Sequence, residues 1–292
     1  QGNLRDFMQE SLARSSKYLP MVQEIFRSEG IPLDLAYLAI VESGYKTNAL
    51  SRASARGVWQ FMPATGAEYG LDQTWFLDER SDPEKATRAA AQYLKSLNRM
   101  FDGDWNLAMA SYNAGPGRLQ RAVNKSKIND YWKLTETSKF LPKETRNYVP
   151  MIMAAVLIAK NPQAYGFDAV PVAPLVFDRV TVPDALDLRT VAEWTGATIE
   201  DIRALNPELR RTTTPIGAHD LKVPLGMAPD AMKQLLISAD GLGTFRFSGE
   251  ETAFRNCMLA AVTLVLIHTT AQAWVRKVHT TTDTGSVPRV NP

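Results

Sequence analysis

The chain has 292 residues, with 33 Lys+Arg against 31 Asp+Glu, a single cysteine and 45% hydrophobic residues. That length calls for about two domains, and the composition is that of a folded chain rather than a disordered one. A formal net charge of +2 gives no basis for a nucleic-acid or membrane-surface partner, and one cysteine excludes an intrachain disulfide framework.

The first residues, Gln1-Gly2-Asn3, carry no initiator methionine and no apolar signal segment. The chain is therefore expected to be a mature or trimmed product. Asp6 to Glu29 predicts a long helix, with an interruption expected at Pro20 and an end at Gly30-Ile31-Pro32. Leu33 to Ser43 is apolar almost all round, the pattern of a buried helix. Ser81-Asp82-Pro83 starts another: Asp82 caps, Pro83 suits the first helical position, and the helix runs to about Met100. Further helices are expected over Trp105 to Asn113 and Glu144 to Lys160. Alternating strand patterns are scarce up to here, so residues 1–165 read as an α domain.

The pattern changes after Asn161-Pro162. Pro171 and Pro174 mark residues 166–176 as a linker. A strand over Phe177 to Val182, helices over Leu188 to Thr195 and Ile199 to Leu205, and a strand over Asp220 to Pro224 make a βααβ module across 177–226. Residues 227–292 stay unassigned. Among them Asn256 to Val275 has no charged residue, but its apolar core, Met258 to Ile267, is too short for the roughly 20 residues of a spanning helix. A buried apolar segment is the preferred reading.

Four places can carry chemistry. Glu42 ends the apolar run from Leu35 to Val41, with Gly44 placed to stop the helix. The negative helix pole and an apolar setting both disfavour its ionisation, as a general acid needs near neutral pH. Taken alone, an exposed glutamate at a helix end is the simpler reading. Gln60 sits between Trp59 and Phe61-Met62, an amide among aromatics that suits a sugar; a core helix with its glutamine turned to solvent explains it as well. Tyr112-Asn113 precede Gly115-Pro116-Gly117, which forces a turn, so they close a helix and need do no more. Glu144 opens a helix with Tyr148 one turn on, and capping accounts for Glu144 equally. Three scattered histidines, His219, His268 and His279, leave no ligand set for a metal.

In this order, Glu42-Ser43, Gly57-Val-Trp-Gln-Phe-Met-Pro-Ala-Thr-Gly66, Ser111-Tyr-Asn-Ala-Gly115 and Glu144-Thr-Arg-Asn-Tyr148 resemble the lytic transglycosylase domain of the goose-type lysozyme superfamily, over roughly residues 10–165. The resemblance implies a mainly α, lysozyme-like catalytic domain that cleaves the β-1,4 MurNAc–GlcNAc bond of peptidoglycan and leaves 1,6-anhydromuramyl ends. It makes Glu42 the single acid/base. Ser43, Gln60, Tyr112, Asn113 and Tyr148 become substrate-binding or positioning residues, and Trp59, Phe61 and Met62 are expected to be core. A hydrolytic muramidase and a catalytically silent peptidoglycan binder remain the alternatives. No cofactor and no metal are implied, because the second nucleophile is the substrate's own hydroxyl. Peptidoglycan strands are the expected partner and the periplasm or outer membrane the expected place, with a lipid anchor upstream of Gln1 as one form. Val180 to Gly196, Ile199 to Pro207 and Leu221 to Pro224 are similar to a LysM domain. Its usual Gly-Asp-Thr entry stands here as Leu186-Asp-Leu, so a degenerate α+β module is expected.

Overall fold

A computed structural model describes residues 2–136 and 139–241 and is mainly α, with one two-stranded sheet. Most of 227–292, including the apolar run at 256–275, therefore lies outside the described residues. Residues Gln1–Leu236 group into one compact unit, so both sequence-derived domains belong to the same body.

Helix α1 (Gly2–Glu29) runs straight through Pro20. The interruption expected there does not occur: Met8, Leu12, Val22, Ile25 and Phe26 are buried on either side of the proline. Each such side chain contributes about 1.5–3 kcal/mol, enough together to offset a local cost of about 3 kcal/mol. The expected helix at 33–43 divides into a 3-10 turn, Leu33–Tyr37, and α2 (Leu38–Ser43). Gly44 ends α2 at φ 59°, as expected; a Cβ there would lie 2.4 Å from Ser11 Oγ on α1.

Next come α3 (Pro63–Glu68), α4 (Pro83–Met100), α5 (Trp105–Ala114), α6 (Pro116–Ser126), α7 (Tyr131–Thr135) and α8 (Lys143–Lys160). Asp82 caps α4 as its sequence announces, Oδ1 accepting from the amides of Glu84 and Lys85 at 2.8 and 3.0 Å. Helix α4 buries Ala86, Ala90, Leu94 and Leu97 and packs between α1 and α5. Helix α8 contains Pro150, which has no amide to give Arg146 O four residues back. The hydroxyl of Tyr131 is placed there instead, 2.8 Å from Arg146 O and 3.1 Å from Thr145 O. A half-buried carbonyl that the sequence orphans is thus satisfied from another helix.

The smaller module holds β1 (Asp178–Val182), α9 (Leu188–Thr195), α10 (Ile199–Leu205), β2 (His219–Val223) and α11 (Ala228–Gly241). The strands are antiparallel, with Asp178 opposite Val223 and Val182 opposite His219. Its core joins Val180, Val182, Leu188, Val191, Ile202, Leu221 and Val223 to Ala228 and Ala231 of α11. Residues before it do not hang free: Leu175 N donates to Lys17 O at 2.8 Å, and Val172 N to Ser16 Oγ at 2.7 Å.

The module is fastened to the larger helical domain by main chain. Asp78 N donates to Glu208 O and Arg210 N to Phe76 O, each at 2.8 Å, a short antiparallel pairing that puts Leu77 into the module's own core. Beside it Lys222 Nζ lies 2.6 Å from Asp82 Oδ2 and 3.1 Å from Glu208 Oε1, with all three side chains no more than 4% exposed. One carboxylate therefore caps α4 with one oxygen and reaches the module with the other.

Candidate active site

Glu42 is delivered by the last turn of α2, and Tyr148 by α8, whose first half packs against α2. The Tyr148 hydroxyl donates to Glu42 Oε1. Burial is the largest influence on the carboxyl group and disfavours its charge. The Tyr148 hydrogen bond acts the other way, and the nearby negative charge of Glu144 adds to the rise, leaving the pKa at about 7. Glu42 keeps some solvent access, so the acid is open to a ligand on one side while protein replaces water on the others.

The rest of the site hangs on the segment from Ala49 to Phe61. Gly57 turns it at φ 83°, and a Cβ there would fall 1.7 Å from Arg80 O, so only glycine fits. Trp59 is fully buried, packs on Phe26 with ring centres 5.5 Å apart, and donates from Nε1 to Thr87 Oγ1 at 2.9 Å. Phe61 is buried as expected. Met62 is not core: at 43% exposure it precedes Pro63, the first residue of α3, and its side chain stays outside.

The remaining residues singled out from sequence are brought to this neighbourhood in different ways. Ser43 is buried, and its hydroxyl donates to Val58 O at 2.8 Å, tying the end of α2 to the segment. Gln60 takes positive φ, 48°, and its amide donates to Gly57 O at 2.9 Å and Ala49 O at 3.3 Å. Tyr112 donates to Trp59 O at 2.7 Å, and its own ionisation is pushed well up by burial and then by the charge of Glu42. Asn113 Oδ1 accepts from Thr145 Oγ1 at 2.9 Å, while its Nδ2 faces Glu144 Oε1 at 3.4 Å. Tyr148 likewise resists ionisation, first through burial and then through Glu42.

From the sequence, capping and a catalytic role explain Glu144 equally well, and Thr145 gives no separate signal. The structure sets Glu144 close enough to Glu42 to raise its pKa, and Thr145 as the anchor of Asn113. Both follow Pro142, which starts α8, and the spacing from Glu144 to Tyr148 was the available signal. Arg80 was also missed. It is buried against Asp78, Nε at 2.9 Å from Oδ1 and Nη2 at 2.8 Å from Oδ2, and its Nη1 donates to Ser54 O and Phe61 O. The guanidinium thus locks the segment bearing Gln60 onto the stretch that the module grips.

A partly exposed acid raised toward neutrality thus accepts from a tyrosine on an all-helical domain. Residues 21–135 match the transglycosylase SLT domain, and residues 176–238 match the LysM-like domain of lytic transglycosylase MltD. The chain is similar to "Membrane-bound lytic murein transglycosylase D" of Escherichia coli (strain K12), 32% identical over 243 residues, 81% of this chain and 52% of the relative. "Peptidoglycan transglycosylase gp16" of Escherichia phage T7 is 34% identical over 151 residues, 51% of this chain and 11% of that protein. The crystal structure of the 70 kDa soluble lytic transglycosylase from Escherichia coli matches with a TM-score of 0.44 at 24% identity, covering 51% of this chain and 25% of that one. The chain spans about half the length of the curated relatives that it matches over most of its own length. Among the described residues no helix is long and apolar enough to cross a membrane.

Proposed function

We propose that the protein is a peptidoglycan lytic transglycosylase, with Glu42 as its general acid and then its general base. The observation that carries this reading is the pair Glu42–Tyr148: a carboxyl group with a pKa of about 7, oriented by a tyrosine hydroxyl in a site with protein on most sides. Protonated Glu42 gives its proton to the glycosidic oxygen between MurNAc and GlcNAc as the bond to C1 breaks. The carboxylate so formed takes the proton of the muramyl 6-hydroxyl as that oxygen closes on C1, giving the 1,6-anhydro end and restoring the acid. Proton count balances without water, and one protein carboxylate suffices where most glycosidases need two.

Ser43 and Tyr112 act by holding Glu42's surroundings, through Val58 O and Trp59 O. Gln60 and Asn113 are assigned to substrate binding by the resemblance; their amides also brace the site, Gln60 on Gly57 O and Ala49 O, and Asn113 on Thr145 Oγ1 and Glu144 Oε1. Similarity to the transglycosylase D and phage enzymes supports the substrate, and a peptidoglycan substrate supports a place in the bacterial envelope, in the periplasm or at the outer membrane.

The test is the product spectrum from purified sacculi. Anhydromuropeptides from the native chain, and none from a folded Glu42→Gln variant, are the expected result. Full activity in that variant would overturn the assignment. A hydrolytic muramidase is the second reading: it would need a further carboxylate, and Glu144 is the one whose charge is felt at Glu42. Its products would be one water heavier, so mass spectrometry separates the two.

A further inference from the structure

Where the module meets the catalytic domain there is a depression of about 590 Å³, lined by Asn48 and Arg56 on one side and by Glu200, Arg203, Pro207 and Arg210 on the other. Three arginines share it with one carboxylate, although the whole chain is nearly neutral. Arg56 is held in place: its Nε donates to Ser81 Oγ at 2.7 Å and lies 3.5 Å from Asp78 Oδ2. Arg210 is braced by Thr74 O at 3.0 Å. Arg203, on α10, is exposed and makes no side-chain hydrogen bond or ion pair among the described residues. A second depression, of about 490 Å³, shares Asn48 and adds Lys17 and Lys46.

The position relative to the site matters as much as the charge. Asn48 and Arg56 flank the segment that carries Gln60, and Arg56 is two residues, at most about 7 Å of chain, from Val58, whose carbonyl holds Ser43. A glycan strand that leaves Glu42 along this segment would reach the basic surface. Guanidinium groups recognise carboxylates by paired hydrogen bonds, whereas uncharged sugar rings gain little from them. In peptidoglycan the carboxylates belong to the peptide stems borne by the muramyl residues.

We propose that the junction between the catalytic domain and the LysM-like module is a subsite for the carboxylates of peptide stems, contacted by Arg56 and Arg203, so that the module contributes to substrate recognition through α10. This rests on the peptidoglycan reading given above. It assigns the module a charged ligand rather than a neutral glycan.

The test uses the full chain carrying Glu42→Gln, so that binding is read without turnover, on intact sacculi and on sacculi stripped of stems by an amidase and then treated with a carbodiimide and an amine, which blocks the lactyl carboxylates that the amidase leaves behind. Arg203→Glu, with Arg203→Gln as a milder companion, is expected to lower retention on intact sacculi by about two- to fivefold, the range of a partly exposed ion pair. Retention on stripped strands stays unchanged, and raising the salt to about 1 M, where the screening length falls to about 3 Å, closes the difference. An equal loss on both substrates, or no loss on intact sacculi, would overturn the proposal. Absence of anhydro products from the native chain on either substrate would instead sink the reading on which it rests. Unchanged thermal melting of the Arg203 variants confirms that binding and not folding has been altered.

Discussion

Tyr148 gives its hydroxyl hydrogen to Glu42 across 106 residues of sequence, joining the fourth helix motif to the first. The bond favours the charged carboxylate, against a burial that favours the neutral acid, while Glu144 pushes with the burial. The acid's strength is thus a balance of three causes, two of which can be changed one at a time.

Activity should fall as pH rises through about 7, because the general acid must start protonated. Tyr148→Phe removes the bond that stabilises the carboxylate, so the descending limb moves to higher pH while the rate drops about 10–100-fold from lost orientation. Glu144→Gln removes the neighbouring negative charge, and the limb moves to lower pH. Opposite displacements in kcat/KM profiles are the check; shifts of the same sign would contradict the balance.

The same group should leave a mark on stability. Its folded pKa of about 7 lies above the ordinary carboxylate value, so the native state binds a proton more tightly than the unfolded chain. That contribution is fully present below about pH 4, where both states are protonated, and is lost as pH rises through 7. Glu42→Gln, which cannot ionise, should melt higher than the native chain at pH 8. The gap should close toward pH 4.

Tyr131→Phe should cost about 1–3 kcal/mol in denaturant unfolding, since it leaves the carbonyl opposite Pro150 half-buried without a donor. Product chemistry should be unchanged. A neutral result would mean that the helix relaxes around Pro150 unaided.

Lys222→Met should be the more damaging change, by about 3–5 kcal/mol, because Asp82 and Glu208 remain buried without their cation. Burial already pushes Glu208 up, and the charge of Asp82 adds to that, while Lys222 opposes both. Glu208→Gln added to Lys222→Met should therefore recover part of the loss. Urea titrations of the single and double variants give the comparison.

Local signals were legible where one short stretch carries the whole cause. Asp82-Pro83 announced the start of α4, Gly44 the end of α2, and the alternation at 177–182 a strand. Glu42 stood out at the end of an apolar helix, but that pattern alone favours an exposed glutamate, and only the resemblance gave it a role. Helices α6 and α7 were not, since Arg118 to Asn124 is largely polar and Tyr131 to Thr135 is only five residues long, and only Leu119, Ala122, Tyr131 and Leu134 turn inward. The linker at 166–176 looked free because Pro171 and Pro174 say nothing of α1, against which Val172 and Leu175 are bonded. Nor does any local pattern join Asp82 to Lys222, which lie 140 residues apart. Long-range charge pairing has no period.

Asp82 belongs to both halves of the molecule at once, which bears on how such a chain can be shortened. A cut in the proline-bearing stretch near residue 170 looks harmless in the sequence, yet it strips Leu77 of its apolar cover and Asp82 of its cation, at the foot of α4. The catalytic half is expected to be soluble only with its neighbour attached, or after Leu77 and Asp82 have been redesigned for water. A deletion series should thus find its stable boundary beyond β2, and not at the bend between the two folds.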